Sequence, residues 1–257
     1  MKLFGCIVVL TAVASAALAT EIPQAERRSG SSFMGPDSRA MQDEDTANPG
    51  MLFVLDGEAL WKRRAGAADK ACADCHGDAR AGMKGVAAHY PAFEQTLGKP
   101  LDLEGRINLC RSNHQHATPF AYESRELLAL TAYVAEQSRG MPIETGDDPE
   151  LTPFIAKGHQ LFTQRQGQLN LACANCHDDN WDKKLAGSPI TQGQPTGYPL
   201  YRLEWQSLGS LQRRLRACIT GIRAQPYDYG SPELVELELY LMTRARGMPI
   251  ETPAVRP

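Results

Sequence analysis

The stretch Cys173-Ala174-Asn175-Cys176-His177 decides how this chain is read. Two cysteines separated by two residues, with histidine directly after, fit covalent attachment of a c-type haem. Each thiol adds to one vinyl group of the macrocycle, and the adjacent imidazole becomes the proximal iron ligand. The same pattern stands earlier as Cys72-Ala73-Asp74-Cys75-His76. Two motifs predict two covalently attached haems. A CxxC pair is also half of a zinc site, but zinc has no use for the trailing histidine, and the two pairs lie 101 residues apart.

Outward from the motifs the chain repeats itself. Gly57-Glu58-Ala59-Leu60-Trp61 corresponds to Gly158-His159-Gln160-Leu161-Phe162 at the same offset of 101. Tyr90-Pro91 matches Tyr198-Pro199 at 108, as do Arg106 with Arg214 and Cys110 with Cys218, so the second copy carries about seven extra residues after its motif. Arg139-Gly140-Met141-Pro142-Ile143-Glu144-Thr145 recurs intact as residues 246–252. A repeat this long is a duplicated domain, not a solenoid unit. The reading is mainly α: two tandem cytochrome c-like domains, residues 51–146 and 147–257. Helices are expected at about 55–66, 124–138, 156–166 and 231–245. Ser231 caps the last of them, Pro232 stands at its first position, and Leu234, Leu237 and Leu241 form its apolar stripe.

Ahead of the repeat, residues 20–50 are polar and read as an arm or linker with turns. Residues 1–19 read as a signal peptide: Lys2, an apolar run from Phe4 to Ala16, then Ala17-Leu18-Ala19 as a cleavage site. The run is short for a membrane span, so no span is expected in the mature chain. Export to the periplasm agrees with haem attachment outside the cytoplasm. The 257 residues carry a formal charge of −3 and no long basic run, which argues against nucleic-acid binding.

Cysteine usage then narrows the iron's far side. Seven cysteines less Cys6 and the four of the motifs leave Cys110 and Cys218. In an oxidising compartment a leftover pair is also a candidate disulfide. Both, however, fall after a haem motif and before a closing helix, where a distal ligand belongs. Met141 and Met248 are rivals by chemistry but come after that helix. His89, His114 and His116 compete in the first copy, whereas no histidine follows His177. His/Cys ligation of both irons is the reading the repeat favours, by His76 with Cys110 and His177 with Cys218. Around Cys218 lie Arg213, Arg214, Arg216 and Arg223, with no acid between Trp205 and Tyr227. Such a cationic segment points to an anionic substrate.

With these motifs in hand the sequence resembles SoxA, the dihaem subunit of the SoxAX cytochrome complexes of bacterial sulfur oxidation. The likeness covers Met41-Gln42-Asp43-Glu44-Asp45, Asn48-Pro49-Gly50-Met51, both haem motifs, the run from Glu204 to Arg214, Cys218, and Tyr229-Gly230-Ser231-Pro232-Glu233. The resemblance implies an L-cysteine S-thiosulfotransferase, which joins thiosulfate oxidatively to a cysteine of the SoxYZ carrier and passes two electrons through haem to a cytochrome c acceptor. It implies that the second haem, with His177 proximal, is catalytic, that Cys218 is the distal cysteine and carries a persulfide, and that Arg214 helps bind thiosulfate. A monohaem SoxX subunit is the implied partner in a heterodimer. A dihaem thiosulfate dehydrogenase and a simple dihaem electron carrier are the alternative functions.

Overall fold

The computed structural model describes residues 22–257, so the expected signal segment and Cys6 lie outside the described residues. The arm is more structured than its composition suggests. It holds 3-10 turns at Gln24–Glu26 and Gly30–Phe33 and a helix, α1 (Pro36–Asp43), with proline at its first turn. It is not a free linker, because polar side chains tie it to the far end of the chain. Ser29 Oγ donates to Glu251 at 2.6 Å, and Asn48 Nδ2 donates to the Pro253 carbonyl at 2.8 Å.

The first half follows. Helix α2 (Gly50–Lys62) starts about five residues earlier than the apolar pattern predicts, because the Asn48 side chain accepts the Gly50 N–H at 2.9 Å and opens the helix there. Short helix α3 (Ala73–His76), with Cys72 at its start, carries the first motif, and α4 (Ala79–Gly82) follows it. A hairpin of β1 (Ala92–Glu94) and β2 (Lys99–Leu101) leads into α5 (Leu103–Cys110), capped by Asp102, and the half closes with α6 (Arg125–Glu136), capped by Ser124. Helices α2 and α6 cross so closely that a Cβ on Gly57 would lie 2.1 Å from the Ala129 carbonyl. Only glycine fits there. Phe53, Val54, Trp61, Leu128, Leu130 and Tyr133 are buried around the crossing, each worth about 1.5–3 kcal/mol of apolar burial.

The second half repeats this plan with α7 (Thr152–Thr163), α8 (Cys173–His177), a hairpin of β3 (Lys184–Leu185) and β4 (Ser188–Pro189), and a hairpin of β5 (Leu200–Arg202) and β6 (Ser207–Gly209). Helix α9 (Leu211–Gly221) carries Cys218, and α10 (Pro232–Arg244) closes the half before β7 (Val255–Arg256) joins β5 in parallel. Like α2, α7 begins about four residues before its expected start. The β3–β4 hairpin lies within the extra residues of the second copy. Gly158 repeats the role of Gly57: its Cβ would lie 2.1 Å from the Glu236 carbonyl. Ser231 caps α10 as expected, accepting the Leu234 N–H.

The recurring Arg-Gly-Met-Pro-Ile-Glu-Thr segments pair with each other across the centre of the molecule. Ile143 N–H donates to the Met248 carbonyl at 2.9 Å and Ile250 N–H to the Met141 carbonyl at 2.9 Å. That pairing explains their repetition and takes both methionines to the join between the halves, the packing role their helix-stop position allows. Nearby, Gln212 Nε2 donates to Asp102 at 2.7 Å, and Tyr122 hydroxyl donates to the same carboxylate at 3.0 Å. Glu104, buried, and Glu238, half-buried, lie beside them.

Candidate functional site

Helix α8 begins directly after Leu171 and Ala172, and Asn175 holds its first turn by accepting the Ala172 N–H at 3.0 Å. The turn puts Cys173, Cys176 and His177 on one side. Nδ1 of His177 lies 2.7 Å from the Thr191 carbonyl. A carbonyl only accepts, so Nδ1 carries a proton and Nε2 is the nitrogen left to face the site. Gly193 closes on the same ring, with left-handed φ of 72° and a would-be Cβ 3.2 Å from His177.

Cys218 comes to this group from α9, within hydrogen-bonding reach of His177 and close enough to Cys173 and Cys176 for their charges to interact. Burial raises the Cys218 thiol, but the His177 hydrogen bond, the charges of Arg214 and His177, and last that of Arg202 outweigh it and hold the thiol below its ordinary value. Cys173 is pushed up to about 12, by burial first and then by Cys218.

The first half assembles the same way. Cys110 sits at the end of α5 near Cys72 and Cys75. Here burial wins and pushes the Cys110 thiol up, with Arg106 only partly offsetting it. The His76 ring lies 5.7 Å from the Trp61 ring, and its segment is more exposed than that of His177. His89 faces Glu144 at 3.5 Å, while His114 and His116 are exposed in the turn after α5. None of the six described cysteines is in a disulfide, and Cys110 and Cys218 belong to separate clusters.

The four arginines near Cys218 in sequence do not act together. Arg214 is one helical turn before the cysteine and faces it. Arg213 turns to the Trp205 ring at 4.2 Å and to Glu123 at 3.9 Å, and Arg216 lies 4.5 Å from the Tyr229 ring. Arg223 takes a left-handed backbone after the helix and gives its carbonyl to Gln168. A different residue completes the cationic pair. Arg202, at the end of β5, acts on Cys218; its Nη2 pairs with the exposed Glu204 at 2.9 Å, while its Nε is buried with no partner. Burial and the charge of Arg214 both depress Arg202 from its ordinary value. An anion between the two guanidiniums relieves that repulsion. Tyr198, half-buried and pushed up to about 12 by desolvation, stands beside them as a neutral phenol.

The signal for Arg202 lies in the repeat. Glu94 occupies its place in the first half: the register pairs Glu94 with Lys99 and Arg202 with Ser207, each 108 residues apart. There Glu94 forms a very close ion pair with Arg106, the counterpart of Arg214, and Tyr90 hydroxyl accepts from the same guanidinium at 3.2 Å.

Two helical halves, each built on a CxxCH turn with a cysteine brought up to it, define a c-type cytochrome. A family model described as the SoxA/TsdA cytochrome c domain matches residues 56–143 and 157–250, and the chain belongs to that family. It is 39% identical over 231 residues to the L-cysteine S-thiosulfotransferase subunit SoxA of Rhodovulum sulfidophilum, covering 90% of this chain and 80% of the relative. It is also 39% identical over 235 residues to the subunit of the same name from Pseudaminobacter salicylatoxidans, covering 91% and 82%. A chain in the crystal structure of SoxXA from P. pantotrophus superposes with a TM-score of 0.87 at 30% identity, covering 90% of this chain and 87% of that one. Cytochrome c domains carry c-type haem, and the residues fit it: free thiols at CxxCH spacing, a histidine whose Nε2 faces a cysteine, and an orphaned guanidinium nitrogen ready for an anion.

Proposed function

We propose that this chain is the SoxA-type subunit of an L-cysteine S-thiosulfotransferase, joining thiosulfate to a cysteine of a SoxYZ-type carrier. The balance is S2O3 dianion plus carrier thiolate giving a carrier S–S–SO3 conjugate and two electrons, taken up by a cytochrome acceptor. The chain carries two c-type haems in this reading, one in residues 51–146 and one in 147–257. Cys72, Cys75, His76 and Cys110 hold the first; Cys173, Cys176, His177 and Cys218 hold the second. When bound, haem supplies a one-electron path out of the site.

The chain's own residues do the rest. Arg214 and Arg202 capture the sulfonate oxygens, and Tyr198 is placed to donate a hydrogen bond. The same two cations keep Cys218 sulfur nucleophilic enough to hold a sulfane sulfur before its transfer. Thr191 holds His177 in the tautomer that leaves Nε2 free. A monohaem SoxX-type subunit is the partner, and the periplasm is the compartment that fits the amino-terminal segment. Among the described residues no helix is long and apolar enough to cross a membrane.

The observation that carries this reading is the meeting of Cys218 with His177 and two arginines, one of them unpaired at Nε. Incubation with thiosulfate, carrier, partner subunit and ferricytochrome should reduce the acceptor only when carrier is present, and should raise the carrier mass by one S2O3 unit. Acceptor reduction without carrier, with tetrathionate as product, would overturn the reading in favour of a thiosulfate dehydrogenase.

A further inference from the structure

The geometry points to a positioning role for the amino-terminal arm: through Gln192 it sets the hydrogen bond that orients His177. The inference rests on His177 being a haem ligand. Gln192 is fully buried and follows Thr191, whose carbonyl takes the His177 Nδ1 proton. Its side-chain amide is held at both ends by the backbone of the arm. Oε1 accepts the Arg28 N–H at 2.6 Å, and Nε2 donates to the Glu26 carbonyl at 3.0 Å. The amide thereby acts like one link of a strand pair between arm and loop.

The loop is held on its other flank by Gly193, which leaves room for the imidazole, and by Arg244. That arginine donates to the Gln192 carbonyl at 3.5 Å and to Asp178, the residue after His177, at 2.7 Å. The arm is itself anchored beyond Gln192. Arg27 Nη1 donates to the Arg246 carbonyl at 3.2 Å, Arg28 lies 5.4 Å from the Trp181 ring, and Ser29 meets Glu251. Residues more than a hundred positions away in sequence thus fix one carbonyl, and that carbonyl fixes the ring. Such outer hydrogen bonds raise the donor strength of an imidazole and stabilise the oxidised metal. Loosening the carbonyl therefore raises the reduction potential. The first half offers an internal reference, because among the described residues the arm's bonds at Glu26, Arg28, Ser29 and Asn48 run to the second half and the chain's far end rather than to the turn after His76.

The test uses the haem-loaded SoxAX-type complex carrying Gln192→Ala or the closer-shaped, uncharged Gln192→Met. His177→Met, which should remove one low-spin resonance, first establishes the ligand assignment. Electron paramagnetic resonance, spectroelectrochemical titration and hydrogen exchange of residues 22–34 are then compared. The expected result is exchange several-fold faster across the arm, together with one low-spin signal shifted and one midpoint potential raised, the other haem staying in place. Faster arm exchange with both haem signals and potentials unmoved would overturn the inference and leave the arm a strap. If Gln192→Ala fails to fold, Gln192→Met gives the reading, because it keeps the side-chain volume, adds no charge and loses both bonds to the arm. An unshifted signal in that variant likewise counts against the proposal.

Discussion

The two halves share a backbone plan but reverse the charge at one register position. The first hairpin ends β1 on Glu94, and the second ends β5 on Arg202. In the first half Glu94 takes up the charge of Arg106, burial dominates, and the Cys110 thiol rises. In the second half no ion pair forms on Arg214 among the described residues, and Arg202 stands beside it with Glu204 at 2.9 Å. The Cys218 thiol falls although burial opposes it, through His177 first and then Arg214, with Arg202 a smaller contributor. One register position thus separates an arginine neutralised by Glu94 from one that faces a second arginine. Duplication supplies the scaffold, and a charge reversal at that position distinguishes the two copies.

The widest separation between the halves should come from their cysteines. Cys218→Ala is expected to abolish carrier conjugation while intact mass still counts two haems. Cys110→Ala should retain most turnover. Loss of a haem mass with Cys218→Ala would break the assignment, since attachment depends on Cys173 and Cys176.

Next comes the arginine on each ligand helix. Arg214→Ala should lower thiosulfate-dependent kcat/KM by about 10- to 150-fold, because a hydrogen bond to a charged group is worth roughly 1.5–3 kcal/mol. Arg106→Ala should change it little, since that guanidinium already answers Glu94. Equal losses would mean that both serve the haem and that the comparison fails.

Removing the second cation should cost less. Arg202→Ala is expected to raise KM for thiosulfate about five- to tenfold, in keeping with roughly 1–1.4 kcal/mol for a partly shielded charged bond. Arg202→Lys should recover much of this, since its ammonium restores the charge without the forked geometry. Full activity in Arg202→Ala would show that Arg214 acts alone.

The smallest effect concerns the join between the halves. Burial, with the Asp102 charge second, raises Glu104 to about 8, and burial pushes Glu238 up as well. A carboxyl raised in the folded state keeps its proton there while the unfolded chain loses it. Stability is therefore full below the unfolded value of about 4.3 and falls as pH rises toward 8. Denaturant midpoints measured between pH 5 and 8.5 should decline, and Glu104→Gln should flatten the decline. A midpoint that rises over this range would contradict the buried protonated carboxyl.

Much of this was legible in the chain itself. The CxxCH motifs, the offsets of 101 and 108, and the placement of both spare cysteines before a closing helix point to the halves and to the cysteine that reaches each motif. Helix starts at Gly50 and Thr152 were less legible, because capping by Asn48 and the Thr152-Pro153 turn precede the apolar stripes. The arginines show the limit of counting charges along a segment. Arg214 is four residues before Cys218 and shares its face, whereas Arg213 and Arg216 turn to Trp205 and Tyr229. Arg202 aligns with Glu94 in the sequence, but only the hairpin brings it to the sulfur sixteen residues further on. The arm was hidden for a related reason. It packs through the polar Ser29, Asn48 and Gln42, with only Ile22 and Met34 as isolated buried apolar residues, so its composition looks like a linker.

The charge reversal is tested most directly by writing the first half's residue into the second. Arg202→Glu gives Arg214 the partner that Glu94 gives Arg106. Steady-state titration with thiosulfate, at saturating carrier and acceptor, should show a larger rise in KM than Arg202→Ala causes, with two haems retained by mass. A KM equal to that of the unaltered protein would contradict the claim that this register position makes the second half the anion site.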